Sequence, residues 1–278
     1  MGGGMSSITE IAPNLQRDGS GIWSAATAAT VSYPQHGHQS CFELEEASFW
    51  FHHRNRCITT MVANHPPLDH GRIFDIGGGN GFVTKGLIEA GFDAVLVEPG
   101  PTGAANAKAR GIPEVICATV ADAGFRPNTL DAVGLFDVIE HIQDDRQFLE
   151  DLRGLMKPGG RLYATVPAYQ ALWSAEDVQA GHYRRYTRAS IQSVLQEAGF
   201  RIDFSSYFFR PLPAPILLLR SLPHRLGIER SQQQAAAEHR PGLATRILEA
   251  LLAPEVENLA RNRPMAFGAS CLLTASVA

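Results

Sequence analysis

Two stretches of this chain concentrate side chains able to do chemistry. LFDVIEHI (135–142) brings Asp137, Glu140 and His141 close together. SAEDVQAGHYRRYT (174–187) packs Asp177, His182, Tyr183, Arg184, Arg185 and Tyr186 just behind Trp173. Carboxylates beside imidazoles can move protons, or hold a divalent cation when three or more ligands converge. Histidine has an ordinary pKa near neutrality, so His182 is the expected proton acceptor and His141 a second candidate. The weak metal candidates are Glu140, His141 and His182. Around them Tyr183 and Tyr186 suit a ring, Arg184 an anionic group and Trp173 an apolar one. The competing reading of 174–187 is a solvated, salt-bridged helix entry, and that of 135–142 is a structural acid–histidine pair.

A third stretch is of another kind. FDIGGGNG (74–81) runs an apolar strand into Gly77, Gly79 and Gly81, with Asp75 ahead of them. Glycines at a strand end let a ligand approach the main chain. The ligand is not a dinucleotide: GxGxxG fails in both frames, meeting Phe82 from Gly77 and Thr84 from Gly79, and no GxxxxGK[ST] phosphate cradle occurs. An acid before the glycines repels a pyrophosphate and attracts an ammonium. That combination suits S-adenosylmethionine (SAM), an adenosine joined to a zwitterionic methionine without phosphate. VLVEP places Glu98 at the end of the next strand, where a carboxylate accepts both ribose hydroxyls. Asp122 follows the third strand, placed for the adenine amino group.

FDIGGGNG, Glu98, LFDVIEHI and LMKPGGRLYATVP (155–167) together resemble the class I SAM-dependent methyltransferases, and most the ubiquinone-biosynthesis type of methyltransferase domain. The resemblance covers residues 70–210 and the final strand. It implies that Asp75, Gly77, Gly79 and Gly81 surround methionine and ribose. It also implies that Glu98 holds the ribose, Asp122 the adenine, and Phe136 and Asp137 the inner side of the cofactor. The ubiquinone-type and small-RNA 3′-end methyltransferases carry an ExxEH cluster that binds a divalent metal with a later histidine; here the first acid is Asp137. An RNA acceptor and a non-catalytic SAM-binding protein are the alternatives. The chain's net charge of −4 disfavours nucleic acid, so the expected partner is a small-molecule or lipid-like acceptor, methylated on oxygen.

These residues need a scaffold. Expected strands at 72–77, 93–99, 114–120, 130–139 and 161–167 alternate with expected helices at 81–91, 103–110 and 144–156. KPGG (157–160) reads as a turn. Helix 188–200, strand 201–209 and strand 265–278 follow. This is an α/β pattern: a Rossmann-like doubly wound sheet, mostly parallel, with the last strand antiparallel and helical caps. The expected division is an N-terminal helical cap (1–68), the SAM-binding core (69–210), a helical insertion (211–263) and the final strand (264–278). Residues 1–35 read as irregular and 42–63 as an amphipathic helix that packs on the core, with a lid whose Arg54 reaches the methionine carboxylate as the alternative.

The leucines and arginines of LPAPILLLRSLPHRL (212–226) form either the apolar wall of the acceptor pocket, the preferred reading, or a peripheral contact with a membrane or lipid. QQQAAAE (232–238) reads as exposed helix or loop. Cys41, Cys57, Cys117 and Cys271 show no zinc spacing and are expected as reduced thiols. MGGGMSSITE lacks the basic and apolar regions of a signal peptide, and a cytoplasmic location is expected.

Overall fold

The computed structural model describes residues 7–25, 42, 45–46, 48–228 and 243–278, with the backbone alone over 243–246. Cys41 and 232–238 lie outside the described residues.

Among the described residues one nine-stranded sheet runs in the order β1-β2-β5-β4-β3-β6-β7-β9-β8. Its centre is β3 (Ile73–Ile76), β4 (Ala94–Val97), β5 (Val115–Cys117), β6 (Leu130–Phe136) and β7 (Met156–Pro167). All neighbours among these five are parallel. β3 and β4 are buried at every residue, as a sheet covered on both faces requires. β8 (Phe200–Phe208) and β9 (Ser270–Val277) complete one edge, with β9 antiparallel to both β7 and β8. β3 has β4 on one side and β6 on the other, so strand order reverses between β3 and β6. In such sheets the crevice at the carboxyl ends beside that reversal receives the ligand.

KPGG is a turn taken inside β7. The pairing jumps from Leu130↔Met156 to Ala132↔Arg161, so 157–160 loop out between two pairing points. The third strand ends earlier than expected, because the Thr119 side chain accepts from the Asp122 N–H and starts a helical turn.

The N-terminus departs from expectation. After α1 (Ile8–Ile11), residues 15–25 form a hairpin, β1 (Leu15–Arg17) and β2 (Ile22–Ala25), and β2 pairs parallel to β5. This part of 1–68 is sheet edge and not cap. DGSG (18–21) makes the turn: Asp18 Oδ1 accepts from the N–H groups of Ser20 and Ile22 and from the Ser20 hydroxyl.

The cap proper is α2 (Phe49–Asn64), whose N-cap Ser48 accepts from Trp50 N–H. Then come α3 (Phe82–Glu89), α4 (Pro101–Ala109), α5 (Val120–Ala123), α6 (Asp145–Leu155), α7 (Ala175–Ala180) and α8 (Arg188–Glu197). α9 (Pro213–Ile216), a π turn (Leu217–Ser221) and α10 (Leu222–Arg225) form one continuous helical segment. The wide turn sits just before Pro223, which has no N–H to return to the carbonyl of Leu219.

α11 (Leu243–Ala260) packs on α2. Its Glu255 is buried at their junction. Glu255 accepts from His53 Nε2 (3.0 Å), Phe209 N (2.8 Å) and Arg210 N (2.7 Å). One carboxylate therefore holds the N-terminal cap, the insertion and the end of β8 together. Cys57, Cys117 and Cys271 are free thiols.

Candidate active site

The loop after β3 turns through left-handed glycines. Gly81 (φ 79°) starts α3, and a Cβ there would fall 2.2 Å from Ile112 Cδ1. Gly79 (φ 55°) differs, since a Cβ there would meet nothing within 4 Å. The space before Gly79 is open. Its N–H is held from behind by Glu98 Oε2 (2.9 Å), while Glu98 Oε1 accepts from Gly100 N (2.7 Å). Burial raises the Glu98 pKa and these two backbone donors oppose that rise. Glu98 thus shapes the glycine loop as well as standing at the expected ribose position. We expect Glu98→Ala to weaken SAM binding by about 1–3 kcal/mol, the scale for hydrogen bonds to a charged group. Calorimetry on the folded variant checks this; unchanged affinity would remove Glu98 from the cofactor site.

Asp75 is 1% exposed. Its Oδ2 accepts from the Thr84 hydroxyl (2.6 Å), and its Oδ1 is buried without a hydrogen-bond partner. Burial pushes its pKa up to about 6, against the Thr84 hydrogen bond and the charge of Arg54. A buried carboxylate oxygen lacking a donor, beside an open glycine loop, fits a ligand ammonium.

At the end of β6, Asp137 adopts φ 60°. Its N–H donates to Thr165 O (2.9 Å), and its Oδ1 accepts from the Thr165 hydroxyl (3.1 Å). Arg54 reaches this point from α2, with Nε donating to Asp137 Oδ2 (2.6 Å) and Nη2 to Phe136 O (2.9 Å). Two of the three guanidinium nitrogens, expected at the methionine carboxylate, are therefore bonded to the β6 terminus. Asp122 lies in α5, the short helix that follows β5, with Oδ2 bonded to the Thr119 hydroxyl (2.6 Å).

Across the same edge, Asp177 organises the second stretch. Its carboxylate accepts from His182 Nδ1 (2.8 Å), Arg185 Nε (2.8 Å), Arg185 Nη2 (2.9 Å) and Ser174 N (2.9 Å). Burial alone would raise its pKa, but the hydrogen bonds from His182 and Arg185 outweigh burial and hold it down to about 2. An ionised carboxylate only accepts, so Nδ1 of His182 carries a proton and, in the neutral ring, Nε2 carries the lone pair. Of the two adjacent arginines, Arg185 takes Asp177. Arg184 bonds Asp145 (2.7 Å) and the Gln143 carbonyl (2.6 Å), fixing the start of α6. Tyr186 requires correction as a substrate contact. It is 2% exposed and its hydroxyl donates to Asp145 (2.6 Å), so it is a strut in the core. Tyr183 is exposed and Trp173 half-buried, both at this edge.

The His141 ring stands edge-on to His182, with centroids 4.6 Å apart. Burial, then the neighbouring His182 ring, lower the His141 pKa to about 4, against the pull of Asp137. Glu140 is fully buried, and neither of its carboxylate oxygens has a hydrogen-bond partner. Burial, then the charge of Asp137, push its pKa well up. One ligand atom from each of Glu140, His141 and His182 lies within 4.8 Å of the others.

A family model described as a methyltransferase domain matches residues 44–203, more than half of the chain. The chain belongs to that family. This methyltransferase is 29% identical to a ubiquinone biosynthesis O-methyltransferase of Rhizobium etli (strain CIAT 652) over 168 residues, 52% of this chain and 66% of that protein. It is 25% identical over 156 residues to the biotin biosynthesis bifunctional protein BioHC of Cellvibrio japonicus, covering 52% of this chain and 31% of that one. The match thus spans less than two thirds of each of these relatives. Among solved structures, the fold resembles phosphoethanolamine N-methyltransferase 2 of Haemonchus contortus in complex with SAM. The TM-score is 0.55 at 21% identity, over 88% of this chain and 58% of that one. A chain from the complex of the Haloferax volcanii Trm112 methyltransferase activator with a methyltransferase also scores 0.55, at 16% identity over 87% and 95%.

The cofactor of this methyltransferase domain is SAM, and Asp75, Gly79 and Glu98 supply a cradle that fits it. Three contributors escaped the sequence reading. Thr84 and Thr165 orient Asp75 and Asp137 from helix and strand positions that look apolar-facing. Asn80 is buried and anchors the loop to α4 through Asn106 (2.9 Å). Thr84 lies directly after the glycine run, where a hydroxyl facing back toward Asp75 was the readable signal.

Proposed function

We propose that this methyltransferase moves the methyl group of SAM to an oxygen of a small or lipid-like acceptor, with His182 as the base. The observation that carries the reading is His182, fixed by Asp177 with its Nε2 lone pair free of that bond, on the sheet edge that holds the open glycine loop. Methyl transfer from a sulfonium is an in-line displacement: the acceptor oxygen bonds the methyl carbon as the carbon–sulfur bond breaks, leaving a neutral thioether. The leaving group is already activated, so alignment and exclusion of water supply most of the rate. An acceptor hydroxyl must also lose its proton, and His182 Nε2 receives it. Asp177 stabilises the resulting imidazolium. Asp75 holds the methionine ammonium, Glu98 the ribose and Asp122 the adenine. Tyr183 and Trp173 border the acceptor. Likeness to the ubiquinone O-methyltransferase supports oxygen as the target. The test is calorimetry with SAM, followed by a metabolite screen with methyl-labelled SAM. Binding of NADH or ATP without response to SAM would refute it, and label appearing on nitrogen would replace the target atom.

The unpartnered oxygens of Glu140 favour a second reading, a divalent cation held by Glu140, His141 and His182, in which His182 Nε2 is a ligand in place of a base. When bound it would supply a Lewis acid that lowers the pKa of an acceptor hydroxyl. We expect exhaustive chelation to lower turnover by about tenfold or more, with recovery on adding a divalent ion. Full activity after chelation, in protein shown by elemental analysis to be metal-free, leaves His182 as base alone.

A further inference from the structure

The segment 212–226 divides into two faces. Leu212, Ile216 and Leu217 pack against the core cluster that includes Phe209, Leu252 and Met265, as a pocket wall would. The remaining leucines do not. Leu218 is 60% exposed, Leu219 58%, Leu222 38% and Leu226 74%. Positions 218, 219, 222 and 226 follow helical spacing, so they share one outward stripe. Single exposed leucines are ordinary; a contiguous stripe of them marks an interaction surface.

The charge around the stripe states its partner. Between Asp203 and Glu229 the sequence contains no acidic residue, while Arg210, Arg220, His224 and Arg225 punctuate it. A second copy would bring like-charged flanks together. Arg210 and Arg225, whose protein contacts are a ring and a backbone carbonyl, keep their positive charge, so an anionic lipid surface complements the leucines and these cations at once. Among the described residues no helix is long and apolar enough to cross a membrane, so the geometry is that of lying on the surface.

The stripe is also fastened to the acceptor edge. Arg225 Nη2 donates to Ala171 O (2.7 Å), and Arg220 pairs with Glu176 (3.7 Å), the neighbour of the Asp177 that holds His182. Val178 and Tyr183, both more than half exposed, lie on that same edge.

We propose that Leu218, Leu219, Leu222 and Leu226 seat this protein on an anionic lipid bilayer, with the acceptor edge turned toward it. The test is flotation of the full chain with vesicles of phosphatidylcholine containing about 30% phosphatidylglycerol, against pure phosphatidylcholine. We expect binding to the anionic vesicles only, weakened as salt rises. Leu218→Ser/Leu222→Ser should lower the partition coefficient by about tenfold or more, through loss of buried apolar surface. Its SAM affinity, read by calorimetry, should stay unchanged, which also reports that the variant is folded. Equal binding by the double variant, equal binding to neutral vesicles, or no vesicle binding would each overturn the proposal. So would a dimer in sedimentation that the double substitution dissolves while vesicle binding is absent.

Discussion

Replacing His182 with alanine is expected to leave SAM affinity within about twofold while lowering turnover by roughly a hundredfold or more. The two effects separate because the residue belongs to the other end of the crevice. In the proposed reading the cofactor sits over the ends of β3 and β4 and the turn after β5, against Asp75, Gly79, Glu98 and Asp122. His182 hangs instead from the loop after α7, tied to Asp177. The acceptor must approach the sulfonium on the side away from its leaving sulfur, and the later strand ends supply that side. Asp177 keeps Arg185 and Ser174 as donors when the imidazole is removed, so the variant should fold. Steady-state kinetics with the identified acceptor, paired with calorimetry, checks both halves. Loss of SAM binding in a folded variant would move this segment into the cofactor site.

Asp75→Asn is expected to strengthen the ligand-free protein and to cripple cofactor binding, by about a hundredfold if the lost contact is a buried ammonium–carboxylate pair. The folded pKa is raised to about 6, so between the ordinary carboxylate value and 6 the folded state holds more protons than the unfolded one. Stability from this group is therefore greatest in acid and falls as pH rises toward 6. By linkage the ionised form costs up to about 3 kcal/mol at neutral pH. Asparagine keeps an oxygen to accept from Thr84 and carries no charge to desolvate. The ammonium of SAM reverses the balance by favouring the ionised form. Wild-type affinity should therefore drop by up to about tenfold per unit as pH falls below about 6, whereas the variant should show no such slope. Chemical denaturation at pH 7 and calorimetry across pH 5–8 measure the two effects. A variant less stable than wild type with an identical pH profile would remove Asp75 from ammonium binding.

The central sheet was readable because its strands are buried on both faces and appear as unbroken apolar runs between glycine turns. The hairpin at 15–25 escaped because β1 and β2 are short and lie at the sheet edge, where the apolar pattern is thin. Its DGSG turn has no strong strands on either side, so 1–35 read as irregular. At the site, the neighbourhood of Asp75, Gly79 and Glu98 was legible because the glycine run ends one strand and Glu98 ends the next. Arg54 was not. Its partner Asp137 lies far along the chain, and no local spacing announces a guanidinium bridging a cap to a strand end. Tyr186 misled for the opposite reason: it stands among exposed polar neighbours in sequence, yet the backbone turns it inward to Asp145. The leucines of 212–226 read as one block because sequence alone does not say which side of a helix the core will claim.

Glu255 has a consequence for how this protein can be rebuilt. Its carboxylate is shared by His53 from the N-terminal helix and by Phe209 and Arg210, which directly follow β8. The N-terminal helix and the insertion are thus a matched pair. A chimera that borrows the 211–263 insertion without position 53 would bury a carboxylate missing one of its three donors, and one that borrows only the N-terminal helix would strand a histidine against foreign side chains. Acceptor preference in such hybrids should travel only when both segments are exchanged together.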